Sequence, residues 1–245
     1  MIAAMSAPLV TPAWRTRAVF VCVIALIAFA LLAALVAGSH STGFDDWMFR
    51  ELYRHTGDSF AEATLGFSQP ALPIAICALI VIAAAFARRW NIAVLASVGP
   101  GLTVLLTKYV LKPLLGRVFS SDDLFKALVG RVPNVDTYTV TGTFPSGHES
   151  AVASTACVLA ILCLRAPVTR RVRIVLLALI ATWTLIAAIG LVRNFWHYAT
   201  DTVGAMLLAI AVVVGTALLI DQYLPTVQRW LARRTAGSDQ LTWRS

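Results

Sequence analysis

Charged residues are scarce in this sequence. They make up 13% of its 245 residues, against 59% that are hydrophobic, and its mean hydropathy is +0.79. This composition excludes an ordinary soluble domain and predicts a polytopic membrane protein. Cysteine is also rare, and Cys22, Cys77, Cys157 and Cys163 all lie in apolar runs. Their spacing indicates neither a disulfide framework nor a metal site, so we interpret them as packing residues.

Six uncharged runs are candidate membrane spans: 18–38, 71–87, 91–107, 150–164, 174–192 and 202–220. The third and fourth are shorter than the roughly 20 residues that a spanning helix needs, so we extend them to Lys112 and back to Ser146. The first run has 21 residues, which exceeds the roughly 7 to 15 of a signal-peptide core, and predicts an uncleaved span. The sequence therefore predicts an all-α bundle of six transmembrane helices.

Basic residues concentrate on one side of this arrangement. With a cytoplasmic N-terminus, the cytoplasmic segments hold 12 of the 20 basic residues and 2 of the 12 acidic ones. The positive-inside rule therefore places both termini in the cytoplasm. The predicted organisation is a cytoplasmic N-terminus (1–17), a membrane domain (18–220) with outer loops 39–70 and 113–145, and a cytoplasmic tail (221–245). Topology accounts for the net charge of +8, so no nucleic-acid partner is expected.

Two local patterns refine this prediction. Residues 39–70 mix aromatic and charged side chains, which favours an amphipathic helix at the outer interface, either a connector or a substrate gate. In the third span, Pro100 predicts a kink. Because Pro113 disfavours helical geometry at the preceding residue, the helix should end near Lys112, which would point its ammonium group out of the membrane.

Residues 143–150 combine turn chemistry with the start of an apolar run. Ser146 occupies an N-cap position, and Glu149 follows three residues later as in a capping box. The backbone amides of Gly147, His148 and Glu149 would then be free to receive an anion, with His148 beside it. The alternative is a purely structural cap in which His148 is an interfacial polar residue.

Polar residues from three segments fall on the same predicted membrane face. His197 and Asp201 are four residues apart, so on a helix Asp201 would hold one imidazole nitrogen as its N–H and leave the other free to attack. A single cation near a span end is explained by snorkelling. The full set indicates a site that handles an anion: Lys112, Arg117, Ser146, Gly147, His148, Arg193, His197 and Asp201.

At these residues the sequence resembles the type-2 phosphatidic acid phosphatase family, integral membrane lipid phosphatases with six spans and three motifs. The second motif is intact as Pro145, Ser146, Gly147 and His148, and the third motif ends here with His197 and Asp201. The resemblance implies that His197 is a nucleophile forming a phosphohistidine, that Asp201 orients it and that His148 is the general acid. It also implies that Lys112, the Ser146 hydroxyl and the Gly147 and His148 amides hold the phosphoryl oxygens, with no metal or cofactor.

Two arginines of the family pattern are displaced. Counted from Lys112, the Arg-Pro of the first motif falls on Phe119 and Ser120. Counted back from His197, the Ser-Arg of the third motif falls on Gly190 and Leu191. Arg117 and Arg193 each lie two residues from the position of a missing arginine, and we expect them to bind the same phosphate. Lys126 and Arg131 are the next candidates for this role.

The predicted function is a metal-independent phosphatase acting on a lipid phosphate or pyrophosphate at the outer face of the cytoplasmic (inner) membrane. Polyprenyl pyrophosphates and phosphatidyl-type lipids both fit. The alternatives are a lipid phosphotransferase and a non-catalytic lipid-binding member of the same fold, which displaced arginines facing away from His197 would favour. A transporter is a weaker alternative, since only the Gly-Pro-Gly sequence at 99–101 suggests a broken helix. The expected partners are a lipid phosphate substrate and the membrane.

Overall fold

A computed structural model describes residues 7–130 and 138–241, with backbone only for residue 225 and residues 228–241. The described chain is mainly helical. Its helices are α1 (Pro12–Val36), α2 (Gly43–His55), α3 (Asp58–Leu65), α4 (Ala71–Phe86), α5 (Trp90–Leu105), α6 (Lys112–Leu115), α7 (Ser121–Val129), α8 (Gly147–Arg165), α9 (Arg170–Arg193) and α10 (Ala199–Leu241). The described residues also form two short strands, β1 (Val118–Ser120) and β2 (Thr139–Thr141), a 3₁₀ turn (Gly66–Ser68) and a π-helical turn (Leu106–Leu111).

Six apolar helical segments in the described chain are long enough to cross a membrane, which confirms the predicted span count. They are Pro12–Val36, Asp58–Phe86, Trp90–Leu115, Gly147–Arg165, Arg170–Arg193 and Ala199–Leu224. The second span begins earlier than the predicted residue 71, because α3 and a short 3₁₀ turn lead into α4.

The centre of the bundle is formed by α10 packed against α1, α5 and α8. Leu95, Val158 and Val213 are fully buried there, whereas Phe20 of α1 and Phe86 of α4 are largely exposed. Outward-facing apolar side chains are the expected composition of a surface that contacts lipid.

The third span continues slightly beyond the predicted end near Lys112, as far as Leu115. After α5, which contains Pro100, the chain forms a π-helical turn over Leu106–Leu111 and then the short helix α6, ending at Gly116 with φ 56°. Pro113 lies inside the continuous helical segment Trp90–Leu115, where it removes one backbone donor from the helix. Single π turns occur frequently at functional sites.

The predicted amphipathic helix in the loop 39–70 corresponds to α2. It buries Asp45 and Phe49 and exposes Phe44, Trp47 and Tyr53. The described parts of the loop 113–145 contain secondary structure that the sequence did not predict. β1 pairs antiparallel with β2, with Phe119 opposite Val140, and α7 lies between the two strands in the sequence.

The N-terminal segment meets α10 at the end of the bundle away from these loops. The backbone N–H groups of Leu9 and Val10 donate to the Asp221 carboxylate at 2.6 and 2.7 Å. The beginning of the first span and the end of the last therefore lie on the same side. The segment predicted as a polar tail from residue 221 continues α10 as far as Leu241.

Candidate functional site

The starts of α8 and α10 are joined directly. The Ser146 N–H donates to the Asp201 carbonyl at 3.1 Å. Phe144 is fully buried with its ring against Gly204, where an added Cβ would overlap the ring. Gly204 thus permits the close approach that brings the second and third sequence motifs together.

His197 follows a sharp turn at the C-terminal end of α9. Phe195 adopts φ 60°, and the N–H of Trp196 donates to the Leu191 carbonyl at 3.0 Å. A left-handed residue after a helix end is a common termination, but it is unfavourable for a bulky side chain and is found at functional sites.

The His197–Asp201 pair forms although His197 lies just before α10 and not within it. The Nδ1 atom of His197 is 3.3 Å from Oδ2 of Asp201, which also accepts the Tyr198 N–H at 3.1 Å. Asp201 is fully buried and His197 is 7% exposed. An ionised Asp201 holds the proton on Nδ1 and leaves Nε2 with its lone pair.

His148 lies next to this pair on the first turn of α8. Its ring centroid is 6.3 Å from that of His197 and 5.2 Å from that of Trp196, which meets it edge-on. Two imidazoles from different motifs therefore lie side by side. His197 has a carboxylate partner, whereas His148 has none among the described residues.

The N-terminus of α8 forms half of the predicted capping box. The Ser146 Oγ accepts the Glu149 N–H at 3.2 Å, so that amide is not available to an anion. The Glu149 side chain does not return the bond: it is buried, and neither carboxylate oxygen has a hydrogen-bond partner among the described residues. The Gly147 and His148 amides, by contrast, have no partner within the described chain.

A cavity of about 960 Å³ connects these groups to the apolar interior of the bundle. Its polar end is formed by Gly147, His148, His197, Lys112 and Lys108. Its walls are side chains of α4, α5 and α8, among them Pro73, Ile74, Val81, Val104 and Ala151. No acidic side chain is among the described residues that line it.

Arg117 lies at the site, but all its donors are engaged. The fully buried guanidinium donates five hydrogen bonds, to the Asp201 and Asp45 carboxylates, the Thr200 hydroxyl and twice to the His40 carbonyl. An arginine has five N–H groups, so none is left for a phosphate. This arrangement indicates that Arg117 supports Asp201, and it argues against the predicted direct contact between Arg117 and a substrate.

Arg193 is also directed elsewhere. Its Nε donates to the Thr56 hydroxyl at 2.9 Å, Nη2 lies 3.2 Å from Asp58, and the guanidinium stacks over the Tyr53 ring at 5.0 Å. Arg193 therefore ties the end of α9 to the junction of α2 and α3. Of the reserve cations, Lys126 is exposed on α7, and Arg131 lies outside the described residues.

The positions of the two missing arginines are apolar core positions here. Phe119 is 2% exposed, with its ring 4.8 Å from that of Tyr198, and Leu191 is fully buried. A charged side chain could not occupy either place without a buried partner.

Three polar residues of the site were not identified from the sequence: Asp45, Tyr198 and Lys108. Tyr198 is fully buried, its ring lies under Arg117 at 4.4 Å, and its hydroxyl donates to Asp123 at 2.7 Å. Burial, together with this hydrogen bond, raises the pKa of the phenol, so Tyr198 stays neutral. Lys108 had a usable signal, since it precedes Lys112 by four residues and shares its helix face.

Comparison with known proteins identifies a family and a similar solved structure. The model of the PAP2 superfamily matches residues 101–224. A solved structure, the transmembrane PAP2 type phosphatidylglycerolphosphate phosphatase from Bacillus subtilis, is similar at 19% sequence identity and a TM-score of 0.52, covering 82% of this chain and 96% of that one. At that identity the likeness concerns the fold. No curated protein sequence matches the chain.

Proposed function

Because the chain belongs to the PAP2 superfamily, we propose that it is a metal-independent phosphatase of lipid phosphates or diphosphates, acting at the outer face of the membrane. One observation carries the proposal: the His197–Asp201 pair and His148 meet at the polar end of a cavity whose charged lining residues are all basic. That arrangement provides a nucleophile, a proton donor and an anion-binding surface at one place.

The proposed reaction has two displacements. Nε2 of His197 attacks phosphorus, the bond from phosphorus to the leaving oxygen breaks, and protonated His148 donates its proton to that oxygen. Asp201 stabilises the imidazolium of the phosphohistidine. In the second step His148 removes a proton from water, the water oxygen attacks phosphorus, and the phosphorus–nitrogen bond breaks. Phosphate is released, and both histidines return to their starting states.

Positive charge for the phosphoryl oxygens comes from three sources in this proposal. The free amides of Gly147 and His148 lie at the positive end of the α8 dipole. Lys112 and Lys108 add two ammonium groups from the π-helical turn and the start of α6. In this proposal Lys112 keeps the phosphate-binding role that the family resemblance implies. Lys108 takes the role predicted for Arg117 and Arg193, whose guanidinium groups bind other protein groups.

The shape of the cavity supports a lipid substrate. Its walls are apolar and its charged groups lie at one end, which suits a molecule with a long hydrocarbon part and a single anionic head. A water-soluble phosphate ester would leave most of the apolar wall without a partner. We therefore expect hydrocarbon length to affect KM.

The test is phosphate release by the detergent-purified protein from phosphatidate, phosphatidylglycerol phosphate and farnesyl diphosphate, with a chelator present. We expect turnover that persists in the chelator and is lost by at least about 1,000-fold in His197→Ala, since the nucleophile is removed. A ³²P-labelled substrate should label the wild-type protein with an acid-labile phosphoryl group, and His197→Ala should remain unlabelled.

Three results would contradict this proposal. Activity that is lost in the chelator and restored by a divalent metal would exclude the metal-independent mechanism. Phosphoryl transfer to a lipid or sugar alcohol at the expense of release would identify a phosphotransferase. Saturable lipid binding without turnover or labelling, in a protein that remains folded, would identify a non-catalytic lipid-binding member.

A further inference from the structure

Asp45 of the outer helix α2 is far from the site residues in sequence, but both oxygens of its carboxylate accept several hydrogen bonds. It is fully buried, and its oxygens accept the N–H and hydroxyl of Thr42 at 2.9 and 2.8 Å and the N–H and hydroxyl of Thr200, both at 2.9 Å. The first pair caps α2. The second pair caps the first turn of α10, which contains Asp201.

Arg117 connects Asp45 to Asp201. Its Nη2 lies 2.7 Å from Oδ2 of Asp45 and its Nη1 lies 2.6 Å from Oδ1 of Asp201, with all three side chains fully buried. The two carboxylates hold the guanidinium from opposite ends of its planar fork, and the Tyr198 ring fixes its face. The guanidinium is therefore held in one orientation.

That orientation determines the geometry of the proposed nucleophile. Arg117 holds Oδ1 of Asp201, and the Tyr198 amide holds Oδ2, so the plane of the carboxylate is fixed before it meets Nδ1 of His197. The chain of contacts runs from α2 through Arg117 and Asp201 to His197. Asp45, Arg117 and Asp201 are not among the described residues that line the cavity, so in the proposed function they act through His197 and not on the substrate.

We propose that Asp45 and Arg117 are positioning residues, through which the outer helix α2 holds Asp201 in the orientation that keeps the proton on Nδ1 of His197. This inference rests on the proposed function for its kinetic consequence. Its structural content, the tautomer and orientation of His197, is independent of any turnover.

Asp45→Asn provides a test that keeps the volume of the side chain. An amide in place of the carboxylate removes the buried charge and places an N–H₂ donor where Arg117 or Thr200 now finds an acceptor. Arg117 then loses one of its two anchors, and Asp201 is held less firmly. We expect kcat to fall about 10- to 100-fold with KM changed less than about twofold, as for a misplaced catalytic group.

Two controls separate this effect from simpler ones. Asp46→Asn removes the neighbouring acid of α2, which has no contact with Arg117, and should change kcat less than about twofold. Thr42→Ala removes the capping hydroxyl but leaves the Asp45–Arg117 pair, so it should lower the melting temperature with little effect on kcat. A loss of kcat in Thr42→Ala equal to that in Asp45→Asn would reduce Asp45 to a structural cap and overturn the inference.

The tautomer of His197 is measured directly by ¹⁵N NMR of protein that contains ¹⁵N-labelled histidine. The signals of His197 are those that are missing from the spectrum of His197→Ala. We expect wild-type His197 to be the Nδ1–H tautomer and Asp45→Asn to shift it toward a mixture. If Asp45→Asn does not fold, Arg117→Lys, which keeps the charge but loses the fork, is measured in the same way and should show the same shift. An unchanged tautomer in a folded variant overturns the inference, whether or not the wild-type protein hydrolyses any lipid phosphate.

Discussion

At the scale of single residues, the cations among the described residues that line the cavity are lysines. Lys108 and Lys112 line it together, and the Lys108 ammonium lies 5.3 Å from the centre of the Tyr109 ring. Arg117 and Arg193 are held by protein carboxylates and hydroxyls. An ammonium group is a compact charge on a flexible stem and can follow the phosphoryl oxygens as the reaction proceeds. The proposed function therefore gives Lys108 a phosphate-binding role that no sequence motif assigned to it.

Lys108→Gln should raise KM for farnesyl diphosphate about tenfold, because a charge-assisted hydrogen bond to the phosphate is replaced by a neutral one. The measurement is a Michaelis profile for phosphate release at fixed ionic strength. The matched control is Lys126→Gln, which removes an exposed lysine of α7 and should change KM less than about twofold. Equal effects in both variants would mean that Lys108 acts only through the general positive field of the protein.

At the scale of elements, the site depends on how closely the outer segments approach the spans. Gly190 of α9 lies against the backbone of α3, and an added Cβ would be 2.7 Å from both the carbonyl carbon and the oxygen of Thr64. Asn194 and Arg193 at the end of α9 bind the same region, through the Ala61 carbonyl and the Thr56 hydroxyl. This contact places α2 and α3 beside the site.

Gly190→Ala should therefore destabilise the protein by about 1–3 kcal/mol, because the methyl group meets backbone that cannot rotate away. Thermal unfolding in detergent measures the effect as a lower melting temperature. Gly101→Ala is the control within a span: its added methyl meets no atom within 4 Å, so it should not lower the melting temperature. An unchanged melting temperature in Gly190→Ala would show that α3 does not pack on α9 as the structure has it.

At the scale of the whole molecule, the two ends of the bundle differ in charge and in chemistry. The site, α2 and the β1–β2 pair share one end. The Asp221 contact with Leu9 and Val10 lies at the other. The distribution of arginines predicts that the site faces outward.

Cysteine labelling tests this orientation. His55→Cys on α2 should react with a membrane-impermeant maleimide in intact cells or spheroplasts, whereas Arg89→Cys, between α4 and α5, should react only in inverted vesicles. The wild-type protein is the background control, because Cys22, Cys77, Cys157 and Cys163 lie within the spans. The reverse pattern would place the site in the cytoplasm and exclude action on outer-leaflet lipids.

Local chemistry made much of this protein predictable from its sequence. Long uncharged runs can satisfy their backbone in lipid only as helices, which determines six spans and an all-α membrane fold. The intact motif around Ser146 and His148, together with the spacing of His197 and Asp201, indicated the family. The match of the family model to residues 101–224 confirms it. These features depend on composition and short spacings, which the sequence displays directly.

Only the tertiary structure decided which charges are free to meet a substrate. Arg117 and Arg193 are as cationic as Lys108 and Lys112, and nothing local distinguishes a guanidinium that faces a cavity from one held by a carboxylate 72 residues away. The partner of Arg117 lies in a separate outer helix, and its burial depends on how α2 packs against α7, α9 and α10. The sequence does not show such pairings, because they depend on which groups the whole fold buries together. A buried charge is stable only beside a partner, and that partner can come from any part of the chain.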